Sequence, residues 1–263
     1  MDALRFSCTS SALSDVGLAR RVNEDAILDL PAQGIWAVAD GMGGHAHGEI
    51  ASRMVVDALA TVDRPATLTA FIDAVRVQLQ TVNQALRRLA TTNDVPIIGS
   101  TVVALLAIER ECAVLWAGDS RAYRLGKRGL RQLTRDHSLG SDPAATNVSG
   151  TRHGTGTIPT APARPASSGG ITRAVGAADT LQIDMVRFTI EDGAVLLLCS
   201  DGLSREVGDA DIARTLIAGS GRTAAQALVA LALQHGGRDN VSVIVISVQD
   251  MWSEDRTVLN PAC

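Results

Sequence analysis

Five aspartates recur at one kind of place in this chain. Asp25 follows Asn23-Glu24 at the start of a β-prone stretch, Asp40-Gly41 and Asp201-Gly202 close two apolar runs, Asp119 lies in "WAGDSR", and Asp239-Asn240 precedes the last apolar run. Ends of neighbouring strands converge at one rim of a sheet, so these side chains can meet there. Carboxylates crowded in this way repel one another and need a cation. The candidate ligands are oxygen-only, without the Cys/His spacing of zinc sites, which favours hard, octahedral Mg²⁺ or Mn²⁺. Gly41 can add a backbone carbonyl, and the glycines of "VADGMGGH" let helix and metal approach closely. Arg20 and Arg21 sit just upstream of Asp25. One arginine at a metal rim suits phosphate, whose oxygens guanidinium binds bidentately. His45 and His47 are candidates for metal ligand or general acid; a surface position at a helix start is the favoured reading for His47 and an equal alternative for His45.

Taken singly, Asp40, Asp119, Asp201 and Asp239 each read more naturally as structural residues; their joint occurrence at strand ends reverses that weighting. Asp192-Gly193 in "TIEDGAVLL" reads as a turn alone, and Glu24 as a solvated or water-bonding neighbour. A nucleotide loop is excluded by composition. A P-loop needs Gly-Lys-Ser/Thr and a kinase-like site needs a strand lysine, whereas Lys127 is the only lysine and falls in an expected turn. A calcium module is unsupported, since no D-x-D-x-D-G loop occurs.

The elements that must position these residues are legible in outline. "GIWAVAD" reads as a strand buried on both faces. Helices are expected over 49–62, with Ile50, Met54, Val55, Ala58 and Leu59 as its stripe, and over 66–90, with Leu68, Ile72, Val75, Leu79, Val82, Leu86 and Leu89 as its stripe and Pro65 at its first turn. "STVVALLAI", "CAVLWAGD", "RAYRLG" and "LRQLT" read as an antiparallel meander, and "AVLLLCSD" as a later strand. Two further helices follow, one from about Asp209 and one opening with the capping-box pattern Thr223-x-x-Gln226 and stopping at Gly236-Gly237, before the closing strand "NVSVIVISV". This order favours antiparallel sheets with helices packed outside them. Residues 138–170, dense in Gly, Ser, Thr, Ala and Pro, read as a flexible excursion.

With 263 residues and 46% hydrophobic content the chain can bury a substantial core. Its net charge of -4 gives no electrostatic footprint for nucleic acid or an anionic membrane, and its apolar runs are too short to span a bilayer. Four scattered cysteines without a C-x-x-C pair, and an N-terminus without the build of a signal peptide, lead to the expectation of a reducing cytoplasm.

Together these residues resemble the metal-dependent Ser/Thr protein phosphatases of the PPM, or type 2C, family. "GLARRVNEDA", "VADGMGGH", "GSTVVALL", "AGDSRAYRL", "LTRDHS", "ITRAVGA", "LCSDGL" and "GGRDNVSVIV" fall in the family's order across nearly all of residues 12–248. The resemblance implies an α+β fold, an α-β-β-α sandwich of two antiparallel sheets flanked by helix pairs, as one domain over 1–250 with a flap-like insertion at about 138–170 and a tail at 251–263. It implies two Mg²⁺ or Mn²⁺ ions: Asp40 bridging both, the Gly41 carbonyl on one, Asp201 and Asp239 on the other, and Asp25 contributing directly or through water. Asp119 corresponds to the family's aspartate for a third, weaker ion, Arg20 to its phosphate-holding arginine, and His45 is a candidate general acid. The activity implied is hydrolysis of phosphoserine and phosphothreonine in proteins by water, without a covalent phosphoenzyme, so Cys199 is expected to be a buried strand cysteine.

Three departures stand out. Met42 occupies the place where animal members carry a histidine. Arg205 stands four residues after Asp201, where many members carry a second acid. The segment 138–170 lacks the helical pattern of the family's flap and reads as either a natural flexible flap or a shifted reading frame. "WAVADGMGGH" and the Arg205-Glu206 pair are similar to type VI secretion-associated phosphatases of bacteria. A monomer acting on phosphorylated proteins and opposing a cognate Ser/Thr kinase is expected; the rival reading is a phosphoprotein-binding pseudophosphatase.

Overall fold

The computed structural model describes residues 6–43, 47–139 and 170–250. The insertion and the tail expected from the sequence lie almost wholly outside these residues. The described ends of the insertion are held together, with Ser138 bridged to Ile171 and the Leu139 N–H donating to the Gly170 carbonyl at 3.1 Å.

Two antiparallel sheets form the centre. One runs β1 (Phe6–Asp15), β11 (Val241–Asp250), β10 (Val195–Cys199), β7 (Arg121–Gly126) and β8 (Gly129–Gln132). The other runs β2 (Asp25–Leu30), β3 (Ile35–Met42), β5 (Val102–Ile108), β6 (Glu111–Ala117) and β9 (Asp184–Thr189), with the short β4 (Gly99–Ser100) paired to β3. Helices α1 (His47–Ala60) and α2 (Leu68–Thr92) pack outside the second sheet. Helices α4 (Asp209–Ala218) and α5 (Gly221–Gln234) pack outside the first, joined by the one-turn α3 (Asp201–Ser204).

Three apolar layers follow from strand alternation. In β3, Ile35, Ala37 and Ala39 face α1 and α2, while Trp36 and Val38 face the opposite sheet. In β10 and β11, Leu196, Leu198, Ile244 and Ile246 fill the space between sheets, while Leu197, Cys199, Val243 and Val245 face α5. This is the expected α-β-β-α sandwich, and β3 is buried on both faces as its composition requires.

Four expectations are corrected. The run from β5 to β8 is not one meander: β5 and β6 belong to one sheet, β7 and β8 to the other, and the chain crosses between them at Gly118-Asp119-Ser120, with Gly118 at φ +120°. A three-residue meander turn and a crossover look alike in local pattern; only the second sheet distinguishes them. Strand β9, partly exposed on an edge, has no clear alternation and was not anticipated. The Thr223 capping box does not form: α5 starts at Gly221, and the Thr223 hydroxyl donates to the Ser220 carbonyl instead. Thr67 caps α2, its hydroxyl accepting from the Ala70 N–H, so Pro65 precedes the helix, and Ile50 of α1 is exposed rather than part of the buried stripe.

Candidate functional site

The five aspartates gather where strand ends of both sheets meet. Asp25 and Asp40 are direct cross-strand partners at the open end of the β2–β3 pair. Like charges placed opposite one another in an antiparallel pair destabilise it, so the position is maintained against its own electrostatics. The Asp40 backbone is fixed from the β4 side: its N–H donates to the Thr101 hydroxyl at 3.1 Å, its carbonyl accepts from the Thr101 N–H at 2.8 Å, and the Ser100 hydroxyl also donates to it. Asp201 opens α3 directly after β10, and Asp119 sits at the crossing between sheets.

Backbone proximity explains the glycines. A Cβ on Gly41 would stand 1.9 Å from the Gly48 carbonyl oxygen, and one on Gly202 would stand 2.0 Å from the Asn240 carbonyl oxygen. Each is possible only without a side chain, and each brings a helix N-terminus onto the rim.

Arg20 reaches the rim through a loop pinned to the chain before β11. The Leu18 N–H donates to the Gly237 carbonyl at 2.7 Å, and a Cβ on Gly17 would collide with the Asp239 carbonyl. Asn240 completes the attachment: its amide donates to the Val16 and Val22 carbonyls, and its oxygen accepts from the Glu24 N–H at 2.8 Å. Arg20 then donates to Asp239 at 2.9 Å. Arg21 shows no such placement at the rim, so of the two arginines it is Arg20 that meets the acids.

Sequence reasoning missed two positioning residues. Asn240 is one, hidden because an Asn before a strand reads as ordinary turn chemistry. His137 is the other: buried at 2% exposure, it accepts the Gly118 N–H at Nδ1 (3.2 Å), faces Asp184 with Nε2 (3.1 Å), and stacks on Trp116. It therefore holds the crossing that carries Asp119. Bidentate pairing of Arg121 with Asp136 secures the start of the next strand.

The electrostatics are those of a buried acid cluster whose charge Arg20 and Arg205 offset only in part. Burial raises Asp25 to about 6, with Asp239 and Glu24 adding to the rise and the Ser242 and Ser200 hydroxyls offsetting only part of it. Burial, then Asp119, raises Asp201 to about 7 against the opposing charge of Arg205. Asp40 is pushed well above the carboxylate range by loss of hydration and then by Asp25, Asp201, Asp119 and Asp239. Burial also raises Asp119, with Arg205 opposing.

Whether these residues fit cations is decided by their unpartnered atoms. Both carboxylate oxygens of Asp25, Oδ1 of Asp119 and Oδ1 of Asp201 are buried without a hydrogen-bond partner. Buried charge left this way is costly unless it binds a metal. All donors are oxygen, as hard divalent ions require. Among the described residues no three acidic, histidine or cysteine side chains are already closed on one point as a ligand set; Arg205 instead bonds Asp119 and Asp201, and Arg20 bonds Asp239. The donor chemistry fits divalent cations, with the guanidiniums supplying the positive charge in this arrangement. His45 lies outside the described residues, and His47 forms the first residue of α1. Cys199 is wholly buried in β10 and its thiol is pushed up to about 12 by burial, the opposite of an activated nucleophile. Asp192-Gly193 is a turn, with Gly193 at φ +74°.

A two-sheet sandwich with helix pairs outside it, gathering five carboxylates and a guanidinium at one rim, defines the class of fold. The chain belongs to the protein phosphatase 2C family, whose model matches residues 19–232. It is 35% identical over 244 residues to the serine/threonine protein phosphatase PstP of Mycobacterium tuberculosis, covering 91% of this chain and 45% of PstP, so it spans less than half the length of that relative. It is 31% identical to the serine/threonine phosphatase stp of Listeria monocytogenes, covering 92% of this chain and 96% of stp. Among solved structures it is similar to PppA, described as a key regulatory component of T6SS in Pseudomonas aeruginosa, with TM-score 0.80, 34% identity, and 93% and 100% of the two chains covered. It is also similar to the PstP catalytic domain in complex with two manganese ions, with TM-score 0.77, 29% identity, and 94% and 100% covered.

Proposed function

We propose that the chain hydrolyses phosphoserine and phosphothreonine in proteins, using two Mg²⁺ or Mn²⁺ ions and water. The observation that carries this reading is the set of buried, unpartnered carboxylate oxygens of Asp25, Asp119 and Asp201, with Arg20 at the same rim on Asp239. Asp40 would hold both ions, the Gly41 carbonyl one of them, Asp201 and Asp239 the other, with Asp25 contributing directly or through water; Asp119 would be the ligand of any third, weaker ion. When bound, such ions make water nucleophilic near neutral pH and neutralise charge on the phosphoryl oxygens. Arg20 orients the phosphate by its paired N–H donors and leaves Asp239 for it. The Ser100 and Thr101 bonds keep Asp40 from moving as charge shifts across the rim. His45 is proposed as the general acid for the departing serine or threonine oxygen.

Phosphorylated proteins are the proposed substrates, a cognate Ser/Thr kinase the opposing partner, and a monomer in the cytoplasm the working form. Cys8, Cys112 and Cys199 are free, which suits a reducing compartment, and no helix among the described residues is long and apolar enough to cross a membrane. Likeness to PppA supports a role beside type VI secretion. The test is hydrolysis of a phosphothreonine peptide with Mn²⁺, with Mg²⁺ and with a chelator, alongside Asp40→Asn. Turnover is expected only with metal and only in the parent chain. A folded, metal-loaded protein without turnover would leave the phosphoprotein-binding pseudophosphatase in its place.

A further inference from the structure

Arg205 is a cation of the rim that the proposed reaction does not use. It is the C-cap of α3, its backbone N–H bonded to the Asp201 carbonyl at 2.8 Å, so its side chain starts from a fixed point one turn from Asp201. From there a single guanidinium contacts three acids: Nη2 donates to Asp119 Oδ2 at 3.1 Å and pairs with Asp201 Oδ2, while Nη1 lies 4.0 Å from Asp239 Oδ2. Asp119 and Asp201 are each only 8% exposed at the side chain, whereas Arg205 is 49% exposed. Exposed ion pairs ordinarily contribute little. Here, however, a half-exposed cation covers two buried acids, each of which keeps its other oxygen, Oδ1, buried and unpartnered.

We propose that Arg205 is a built-in cation that takes the place of a third divalent ion, so that this rim loads two ions and not three. The inference rests on the metal-centre reading above. Among the described residues Arg205 is the ion-pair partner of Asp119. A divalent ion at Asp119 must either displace the guanidinium from Oδ2 or bind Oδ1 alone, and in both cases sits beside a positive charge anchored on the adjacent turn. Asp201 has the same arrangement, Oδ2 on Arg205 and Oδ1 unpartnered, but Asp239 and Asp25 also act on it and would offset the guanidinium for an ion held there, whereas the acid that acts on Asp119 is Asp136, itself paired with Arg121. Asp239 is shared on the same oxygen between Arg20, from the loop before β2, and Arg205, from the end of α3.

The experiment measures Mn²⁺ stoichiometry and affinity by isothermal titration calorimetry and by metal analysis after equilibrium dialysis, with thermal melting in chelator as a fold control. The parent chain and Arg205→Lys, which keeps the charge, are expected to bind two ions. Arg205→Asp is expected to bind three, and Arg205→Gln to acquire a third site at least about tenfold tighter than any residual third binding in the parent, through loss of a unit charge beside Asp119. Arg205→Gln is also expected to melt lower than the parent without metal and to gain more on Mn²⁺ addition. Three ions in the parent, or two with unchanged affinity in folded Arg205→Asp and Arg205→Gln, would overturn the proposal while leaving the binuclear reading intact. No Mn²⁺ binding by the parent would remove both.

Discussion

The acid rim sets a pH dependence opposite to that of most paired carboxylates. Asp201 at about 7 and Asp25 at about 6 lie above the ordinary carboxylate value of 3.8. Between the unfolded and folded values the native chain therefore holds protons that the unfolded chain has lost. Stability of the metal-free protein is highest below about pH 4 as far as these groups are concerned, falls from there to about pH 7, and is then level. Lowering the pH from about 8 to about 5.5 should stabilise it by about 2 kcal/mol through Asp201 and by up to about 1 kcal/mol through Asp25. Because the two carboxyls act on each other, the combined change is about 2–3 kcal/mol. Bound cations reverse the sign, since ligands must be deprotonated to hold them. Urea unfolding followed by the fluorescence of buried Trp36 and Trp116, with chelator and with saturating Mn²⁺, measures both limbs. Asp201→Asn in chelator should flatten the slope by about 2 kcal/mol. A metal-free chain that gains stability as pH rises from 5.5 to 8 would show that the guanidiniums outweigh burial and mutual repulsion at the rim.

Arg20→Ala should lower kcat/KM for a phosphothreonine peptide by about tenfold to a hundredfold, the range for loss of charge-assisted hydrogen bonds; parity with the parent would assign phosphate binding elsewhere. Cys199→Ser should keep most turnover, and loss of activity in a folded variant would contradict attack by water. Asn240→Ala removes three hydrogen bonds to the Arg20 loop and should cost about 2–4 kcal/mol. Hydrogen exchange should then accelerate across residues 16–24, and unchanged protection there would mean that Gly17 and Leu18 hold the loop alone.

Much of the site could be read locally because its residues obey local rules. Asp40, Asp201 and Asp239 each abut an apolar run of fixed direction, so strand polarity alone sends them to a rim. Gly41 and Gly202 mark close backbone approach, and Cys199 lies in an uninterrupted buried strand. The helical stripe from Leu68 to Leu86 reports a face because 3.6-residue periodicity is a property of the chain itself. That five carboxylates would suit Mg²⁺ or Mn²⁺ over zinc also follows from residue type alone.

Partners across the fold were not legible in this way. Only the pairing of β2 with β3 sets Asp25 opposite Asp40, and only the passage from β6 to β7 between sheets turns Asp119 from a hairpin residue into a rim residue. Asn240 binds carbonyls at Val16 and Val22, more than two hundred positions away in the chain, and no local pattern encodes that. Arg205 shows the difference most plainly. By itself the sequence records an arginine where an acid was expected. The tertiary structure makes it the shared counter-charge of Asp119, Asp201 and Asp239, because electrostatic energy depends on distance through space and on burial, and neither is defined until the strand ends meet.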